Sequence, residues 1–304
     1  MANTKLIKTK IKSITNLQKI IKALEIVSTV KLQKIKQQTT NFGNFMTHFL
    51  SVLNTIKDKV DIFDEQNKIN EQLIKEQTEN IFGRRLIILL TTDKGLCGSM
   101  NSRLIRHLNE KYGEEGIKEN VDLFIIGKKG FDFFVGTGWN IVGTVNIKDT
   151  FTESDLNSLF VFIKQSLKEQ RYAKIKIYFN YFKNVITQVP LRFKLYPLDQ
   201  DSFDSFLEGI DINLDNIAPL PHDQLILEPN PKDFAASLIE KIVQNIVYYA
   251  MLNNKASEQA SRMLAMKNAK DNCGDIISGL QILYNKTRQQ KITQEISEIV
   301  GGSL

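Results

Sequence analysis

Ile7, Ile11, Ile14, Leu17, Ile21, Leu24, Val27 and Ile35 recur at steps of mostly three or four residues. That is the spacing of one face of an α-helix. The segment runs from about Thr4 to Ile56 with no proline and one glycine, Gly43. Its length exceeds that of an ordinary globular helix and predicts a coiled coil. The chain returns to helix from about Pro231 to Ile299, with no internal proline and with Gly274 and Gly279 as local weak points. Some seventy residues of helix extend roughly 105 Å, too far to fit inside a compact domain of this size. The simplest arrangement pairs the two terminal segments as an antiparallel coiled coil. One stretch of the second, "ASRMLAMKNAKDN" (Ala260–Asn272), raises a question. Its apolar residues Ala260, Met263, Leu264, Ala265, Met266 and Ala269 spread around most of the circumference. A helix apolar on most sides is normally enclosed by other protein.

Between the terminal helices the period changes. "RLIILLTT" (Arg85–Thr92) is a continuous apolar run bounded by "DKGLCG", as expected of a buried strand. Ser99–Tyr112 reads as helix and "VDLFIIG" (Val121–Gly127) as a second buried strand. "ESDLNSLFVFIKQSLKEQ" (Glu153–Gln170) is an amphipathic helix with Thr152 as its N-cap. "KIKIYFNYF" (Lys174–Phe182) alternates like a strand, and Val185–Leu198 follows as another. Strands alternating with helices predict a layered α/β domain on a largely parallel sheet. The predicted fold class is therefore α/β: a long antiparallel coiled coil of the N- and C-terminal helices plus a Rossmann-like α/β domain. The expected divisions are 1–60 for the first coiled-coil helix and 61–83 for a polar connection. The α/β domain takes 84–205, a second connection 206–230, and the last helix 231–304.

Composition narrows the class only a little. Hydrophobic residues make up 42% and charged residues 24%, the balance of an ordinary soluble protein. The net charge of +6 points equally to an anionic partner and to a lysine-rich genome composition. Two cysteines, Cys97 and Cys273, make no disulfide framework and fit a reducing compartment. The start "MANTKLIKTKIK" has no apolar core or cleavage site of a secretory signal, and no arginine as a transit peptide would have. The longest apolar runs, such as Leu86–Leu90, are too short to span a bilayer.

Candidate chemistry is sparse. There is no G-x-x-x-x-G-K-[ST] loop. "GKKG" (Gly127–Gly130) after a strand reads as a strand-to-helix turn rather than a phosphate cradle, because the wider dinucleotide fingerprint is missing. His48, His107 and His222 are scattered, with no metal-ligand spacing, so no metal or cofactor is expected. Asp93 and Cys97 stand where a buried strand gives way to a helix, the place where α/β enzymes keep their active sites. No basic histidine is close in sequence, and catalytic use is the minor reading. Nine lysines fall in the first thirty-six residues against one acid, Glu25. No aromatic residues are interleaved to stack bases, and no Trp or Phe is present there to anchor in a membrane.

Three stretches are more specific. "EQASRMLAMKNAKDN", followed by "LQILYNKTRQQKITQEISEIVGG", closely resembles the terminal signature of the gamma subunit of rotary F-type ATP synthases. "IKSITNLQKIIKALEIVSTVKLQK" (Ile11–Lys34) is similar to that family's first helix, and "DKGLCGSMN" to its first strand-to-helix turn. "ITQVPL" and "LEPNPK" match later landmarks, so the resemblance covers nearly the whole chain in order. It implies a non-catalytic rotating shaft inside a ring of alternating alpha and beta subunits. The shaft's foot rests on a membrane ring of c subunits and binds the epsilon subunit. The helix at Ala260–Asn272 would then be enclosed partly by the first helix and partly by that ring.

By the same resemblance, Arg288, Gln289 and Thr293 are expected to touch a beta-subunit loop, with Arg262 and Glu258 lower on the helix. Ile292, Ile296, Ile299 and Val300 supply an apolar stripe for an upper bearing. Lys8, Lys12, Lys19 and Lys22 face acidic loops of the ring, and Leu24 stands where many relatives carry methionine. Leu225, Leu227 and Glu228 fall in the segment that meets the c-ring; relatives often carry tyrosines where this chain has the two leucines. The chain ends in the short tail "GGSL", and no extra cysteine-bearing segment like the redox switch of chloroplast relatives is seen in it. The implied location is the cytoplasmic face of the bacterial membrane, with the mitochondrial matrix face as the alternative. The membrane is met only through the c-ring, and no nucleic acid partner is expected. Two rival readings stay open here: a coiled-coil nucleic-acid-binding adaptor, and an enzyme acting at Asp93 and Cys97.

Overall fold

A computed structural model describes residues 2–56, 84–114, 118–169, 171–198, 200–209 and 231–301. Two long helices stand at the ends of the chain: α1, Ala2–Ile56, and the last, Pro231–Gly301. Threonine is a poor helix former, yet Thr9, Thr15, Thr29, Thr39, Thr40 and Thr47 all lie within α1. Each turns its hydroxyl onto the carbonyl four residues back, so none competes for backbone partners outside the helix.

Between them lie β1 (Arg85–Leu90), α2 (Met100–Tyr112), β2 (Val121–Ile126), α3 (Lys128–Phe134) and β3 (Asn140–Val145). Then come α4 (Asn157–Lys168), β4 (Lys174–Phe182), β5 (Gln188–Tyr196) and α5 (Gln200–Gly209). The last long helix is thus α6. Thr152 closes a capping box with Asp155, but the first turn after it, Glu153–Leu156, is 3₁₀. The α-helix proper therefore starts later than the amphipathic pattern implied.

The chain divides into two compact units, 31–261 and the terminal pair 1–30 with 262–304. The larger unit holds a five-stranded sheet in the order β3-β2-β1-β4-β5. β1 pairs in parallel with β2 and β4, β2 in parallel with β3, and β5 closes one edge antiparallel to β4. β1 and β2 sit in the middle with both faces covered, which explains the unbroken apolar run Leu86–Leu90 in β1 and the run of β2 that only Asp122 interrupts. One face packs on α1, α4 and α6, through Phe42, Met46, Leu50, Leu159, Ile163, Ile242 and Ile246. The other packs on α2 and α3, through Leu104, Leu108 and Phe134. Phe42 sets its ring edge-on to Tyr248 with centroids 4.9 Å apart, tying α1 to α6 within this unit.

β3 was not expected. Its "NIVGTV" is half-exposed and interrupted by Gly143, so it carries a weak strand signal. The glycine has a packing cause: a Cβ there would lie 2.5 Å from the Phe124 ring.

In the terminal unit the two helices run antiparallel. Lys270 Nζ meets Glu25 Oε2 at 2.9 Å, and Gln18 Nε2 donates to the Lys270 carbonyl at 3.2 Å. Further along, Thr4 shares a shallow groove with Thr287, Gln290, Gln294 and Glu298. Among the described residues, no helix is long and apolar enough to cross a membrane.

Candidate functional site

The parallel strands end in loops at a common edge, where an α/β fold offers its ligand crevice. Here the chain itself fills that edge. Thr91 Oγ1, just past β1, donates to the Ile126 carbonyl and accepts the Gly130 amide, both at 2.9 Å. The Thr92 carbonyl accepts the Lys129 amide at 2.9 Å, and Asp93 Oδ1 accepts the Lys128 amide at 3.0 Å. The amides at the start of α3 that a phosphate would need are therefore spent on protein. "GKKG" is a strand-to-helix turn, drawn so close to β1 that Gly127 adopts φ +98° against the Thr91 carbonyl.

Cys97 is 3% exposed. Its sulfur lies 3.7 Å from Thr92 Oγ1 and 3.6 Å from Asn101 Nδ2. These are the surroundings of a structural thiol rather than of an activated one.

The crevice holds a lysine from α6. Lys255, 2% exposed, donates to the Ile147 carbonyl at 2.9 Å. It also lies 3.5 Å from Glu258 Oε2 and 3.9 Å from Asp93 Oδ2. Beside it Asp149 takes Lys31 of α1 at 2.5 Å and Lys94 at 3.8 Å. Two adjoining ion clusters thus bind the loops after β1 and β3 to both long helices. On the far side of the same stretch of α6, Asn254 Oδ1 accepts from the Asn180 backbone and side-chain amides at 3.2 and 3.3 Å. Ser257 donates to the Asn180 carbonyl at 3.0 Å, and Ser261 to Gln188 Oε1 at 2.9 Å. The sequence reading singled out none of Lys255, Asn254 or Asn180. The one visible trace of Lys255 and Asn254 is the polar triplet "NNK" directly after the apolar run Ile246–Leu252, and Asn180 is the one uncharged polar residue in the strand "KIKIYFNYF" apart from its tyrosines.

Asp149 gives this cluster a pH signature. Burial raises its pKa, but the hydrogen bond and charge of Lys31, with Lys255 and Lys94 behind, outweigh burial and hold it below the usual aspartate value. A lowered carboxylate pKa contributes stability that is complete above the unfolded-state value and lost as pH falls through the folded-state value. The unfolding free energy is therefore expected to drop below about pH 4. Asp149→Asn should flatten that decline; urea midpoints at a series of pH values, equally steep in both proteins, would remove Asp149 as its source.

The residues anticipated as partner contacts fall into two groups. Lys8, Lys12, Lys19 and Lys22 are exposed on α1, and Leu24 is half-buried. Arg288, Gln289 and Thr293 are exposed on α6, with the Thr293 hydroxyl turned back to the Gln289 carbonyl. Ile292, Ile296, Ile299 and Val300 are exposed at 46%, 56%, 72% and 59%. Glu258 and Arg262 differ: they are 1% and 8% exposed, so neither side chain is on the surface of the chain. Leu225, Leu227, Glu228 and His222 lie outside the described residues.

Comparison with known proteins places this geometry. A family model described as ATP synthase matches residues 3–304. The chain is 35% identical over 305 residues to the ATP synthase gamma chain of Histophilus somni, covering 100% of this chain and 99% of that one. It is 33% identical over 307 residues to the ATP synthase gamma chain of Legionella pneumophila, with 100% and 99% covered. Among solved structures, it is similar to a chain of the Euglena gracilis mitochondrial ATP synthase rotor, with a TM-score of 0.62 and 18% identity. That match covers 95% of this chain and 98% of the other. A chain from the central stalk and c-ring of the Tetrahymena thermophila mitochondrial ATP synthase matches with a TM-score of 0.55 and 22% identity. It covers 82% of this chain and 99% of that chain.

Proposed function

We propose a function from one premise: this chain belongs to the ATP synthase gamma-chain family. It is a non-catalytic stalk subunit, the turning central shaft that couples rotation of a membrane c-ring to the nucleotide sites of the surrounding alpha and beta subunits. The observation that carries the reading is the unusual surface of the terminal helix pair. Leu17, Ile20 and Val30 on α1 are 49%, 59% and 59% exposed, and Ile282, Ile296 and Ile299 on α6 are 71%, 56% and 72% exposed. Large apolar side chains exposed along one pair of helices mark a surface meant for other protein. A surrounding ring supplies that enclosure.

A shaft biases a site only by touching its conformations unequally. Apolar side chains slide without fixed partners, so Ile292, Ile296, Ile299 and Val300 form the bearing. Arg288, Gln289 and Thr293 make the polar contacts that carry torque to a beta-subunit loop. Lys8, Lys12, Lys19 and Lys22 face acidic ring loops, and Leu24 packs among them. Glu258 and Arg262, buried within the chain, act on the ring by fixing the helix surface beside it. The segment 206–230, with Leu225, Leu227 and Glu228, meets the c-ring, and epsilon binds at the same end. The larger unit's strand-end crevice is occupied by Lys255 and needs no substrate. The protein is a peripheral subunit of the membrane complex, and its relatives in Histophilus and Legionella favour the cytoplasmic face of a bacterial membrane.

The chain alone is expected to show no ATPase, and cooperative ATPase is expected when it is mixed with alpha and beta subunits. Deletion from Arg288 onward should lower the coupled rate by between about 5- and 150-fold, the range of a typical coupling free energy. Unchanged turnover and unchanged subunit affinity after that deletion would refute the contacts proposed for this end.

A further inference from the structure

On the α2 side of the sheet, cations are concentrated where strand pairing should separate them. Arg85 of β1 is paired with Lys174 of β4, and Lys176 of β4 with Lys194 of β5. Arg192 stands opposite Tyr178, two residues along and on the same face. The last turn of α2 adds Lys111 and Tyr112. Lys176 Nζ lies 3.0 Å from Tyr112 Oη, and the Arg85 guanidinium lies 5.9 Å from the centre of the Tyr112 ring. Like charges directly opposite each other destabilise a sheet. The repulsion is felt locally: burial first, then Arg192, Lys174, Arg85 and Lys194, lower the pKa of Lys176. Burial, Arg192, Lys176 and Arg85 lower that of Lys111. At neighbouring His107, burial and Arg192 likewise favour the neutral ring, and Glu110 is the carboxylate that opposes them.

A cluster that costs the free chain stability is relieved by an anion, and its surroundings discriminate among anions. Single-stranded nucleic acid is held by open aromatic faces as well as by charge, but Tyr112 and Tyr178 are 3% and 0% exposed. A membrane surface needs apolar anchors, and none of the exposed large hydrophobic residues described lies on β1, β4, β5 or α2. Carboxylates on a polypeptide suit the spacing. Lys174 and Lys176 are two residues apart on one strand, about 7 Å, with the next strand about 5 Å away. Acids at alternate positions of an extended segment, or one turn apart on a helix, match that grid.

We propose that the face built by Arg85, Lys174, Lys176 and Arg192 docks a carboxylate-rich polypeptide segment. On the function proposed above, that segment belongs to another subunit of the complex. The test has two arms. In the first, the full chain is titrated with a labelled peptide of alternating Glu and Ser. Binding should weaken steeply as salt rises, and Lys176→Glu with Arg192→Glu should weaken it at least tenfold. Lys128→Glu with Lys129→Glu, an equal change of net charge at exposed side chains of α3, should leave it within twofold. Lys176→Met with Arg192→Met, which relieves repulsion without adding acids, should also lose binding while melting no lower than the original. Equal loss with both charge-reversal pairs overturns the proposal, as does tighter binding of single-stranded DNA or of phosphatidylglycerol vesicles than of the peptide. In the second arm, carbodiimide cross-linking of the purified complex should join Lys174 or Lys176 to an Asp or Glu of a neighbouring subunit. Intact peptide binding without that cross-link overturns the assignment to a subunit alone, whereas loss of peptide binding overturns the docking face itself.

Discussion

Replacing Lys255 by Met is expected to cost about 3–5 kcal/mol of unfolding free energy, as removal of one partner from a buried ion pair does. The side chain is 2% exposed, and Glu258 beside it is 1% exposed, so the carboxylate cannot recover its lost counter-ion from water. The Ile147 carbonyl loses its 2.9 Å donor at the same time. Asp93 is less affected because it is 28% exposed and keeps the Lys128 amide. The double replacement Lys255→Met, Glu258→Leu should recover most of the loss, since a buried pair exchanged for apolar groups of similar size is often neutral. Urea unfolding of the three proteins reads this directly. A Lys255→Met chain within about 1 kcal/mol of the original, the range of a surface pair, would show that the buried charge is not held as described. The same clamp matters for the work of a shaft, because it joins α1 and α6 to the loops of the sheet. Within a complex, Lys255→Met is therefore expected to weaken coupling between ion flow and ATP synthesis more than it weakens subunit binding.

Gly127→Ala is the second large effect, expected to cost about 2–6 kcal/mol as the sum of backbone strain and overpacking. Its φ of +98° with ψ of 136° lies in a corner of backbone space left almost wholly to glycine. An added Cβ would also stand 2.4 Å from the Thr91 carbonyl oxygen. The obstacle is main chain, not the end of a flexible side chain, so no repacking removes it. The turn would have to open, and with it the bonds from Lys128, Lys129 and Gly130 that hold α3 to β1. A melting temperature unchanged within a few degrees would rule out this close approach.

Periodicity in the sequence was enough to determine the two terminal helices, the buried strands β1 and β2, and the alternation that makes a largely parallel sheet. These features rest on repeating local signals: apolar residues every three to four positions, or four or five in an unbroken run. The terminal signature also led to the family, and with it to the function. Only the tertiary structure decided the rest. β3 was illegible because its cause is a distant neighbour, the Phe124 ring over Gly143; the turn into α3 was legible in "GKKG", but not the Thr91 carbonyl that demands glycine at 127. Glu258 and Arg262 look like surface charges in the sequence, yet both are buried, because polarity does not say which side of a helix the fold covers. Lys255 reads as one more lysine on a lysine-rich chain. Its role arises from Asp93 and Ile147, more than a hundred residues away, brought to it by the sheet. The basic face is hidden for the same reason: Arg85, Lys176 and Arg192 are far apart along the chain and adjacent only across strands. Local pattern is written in consecutive residues, whereas charge and packing energies depend on distance in space, which the sequence does not state.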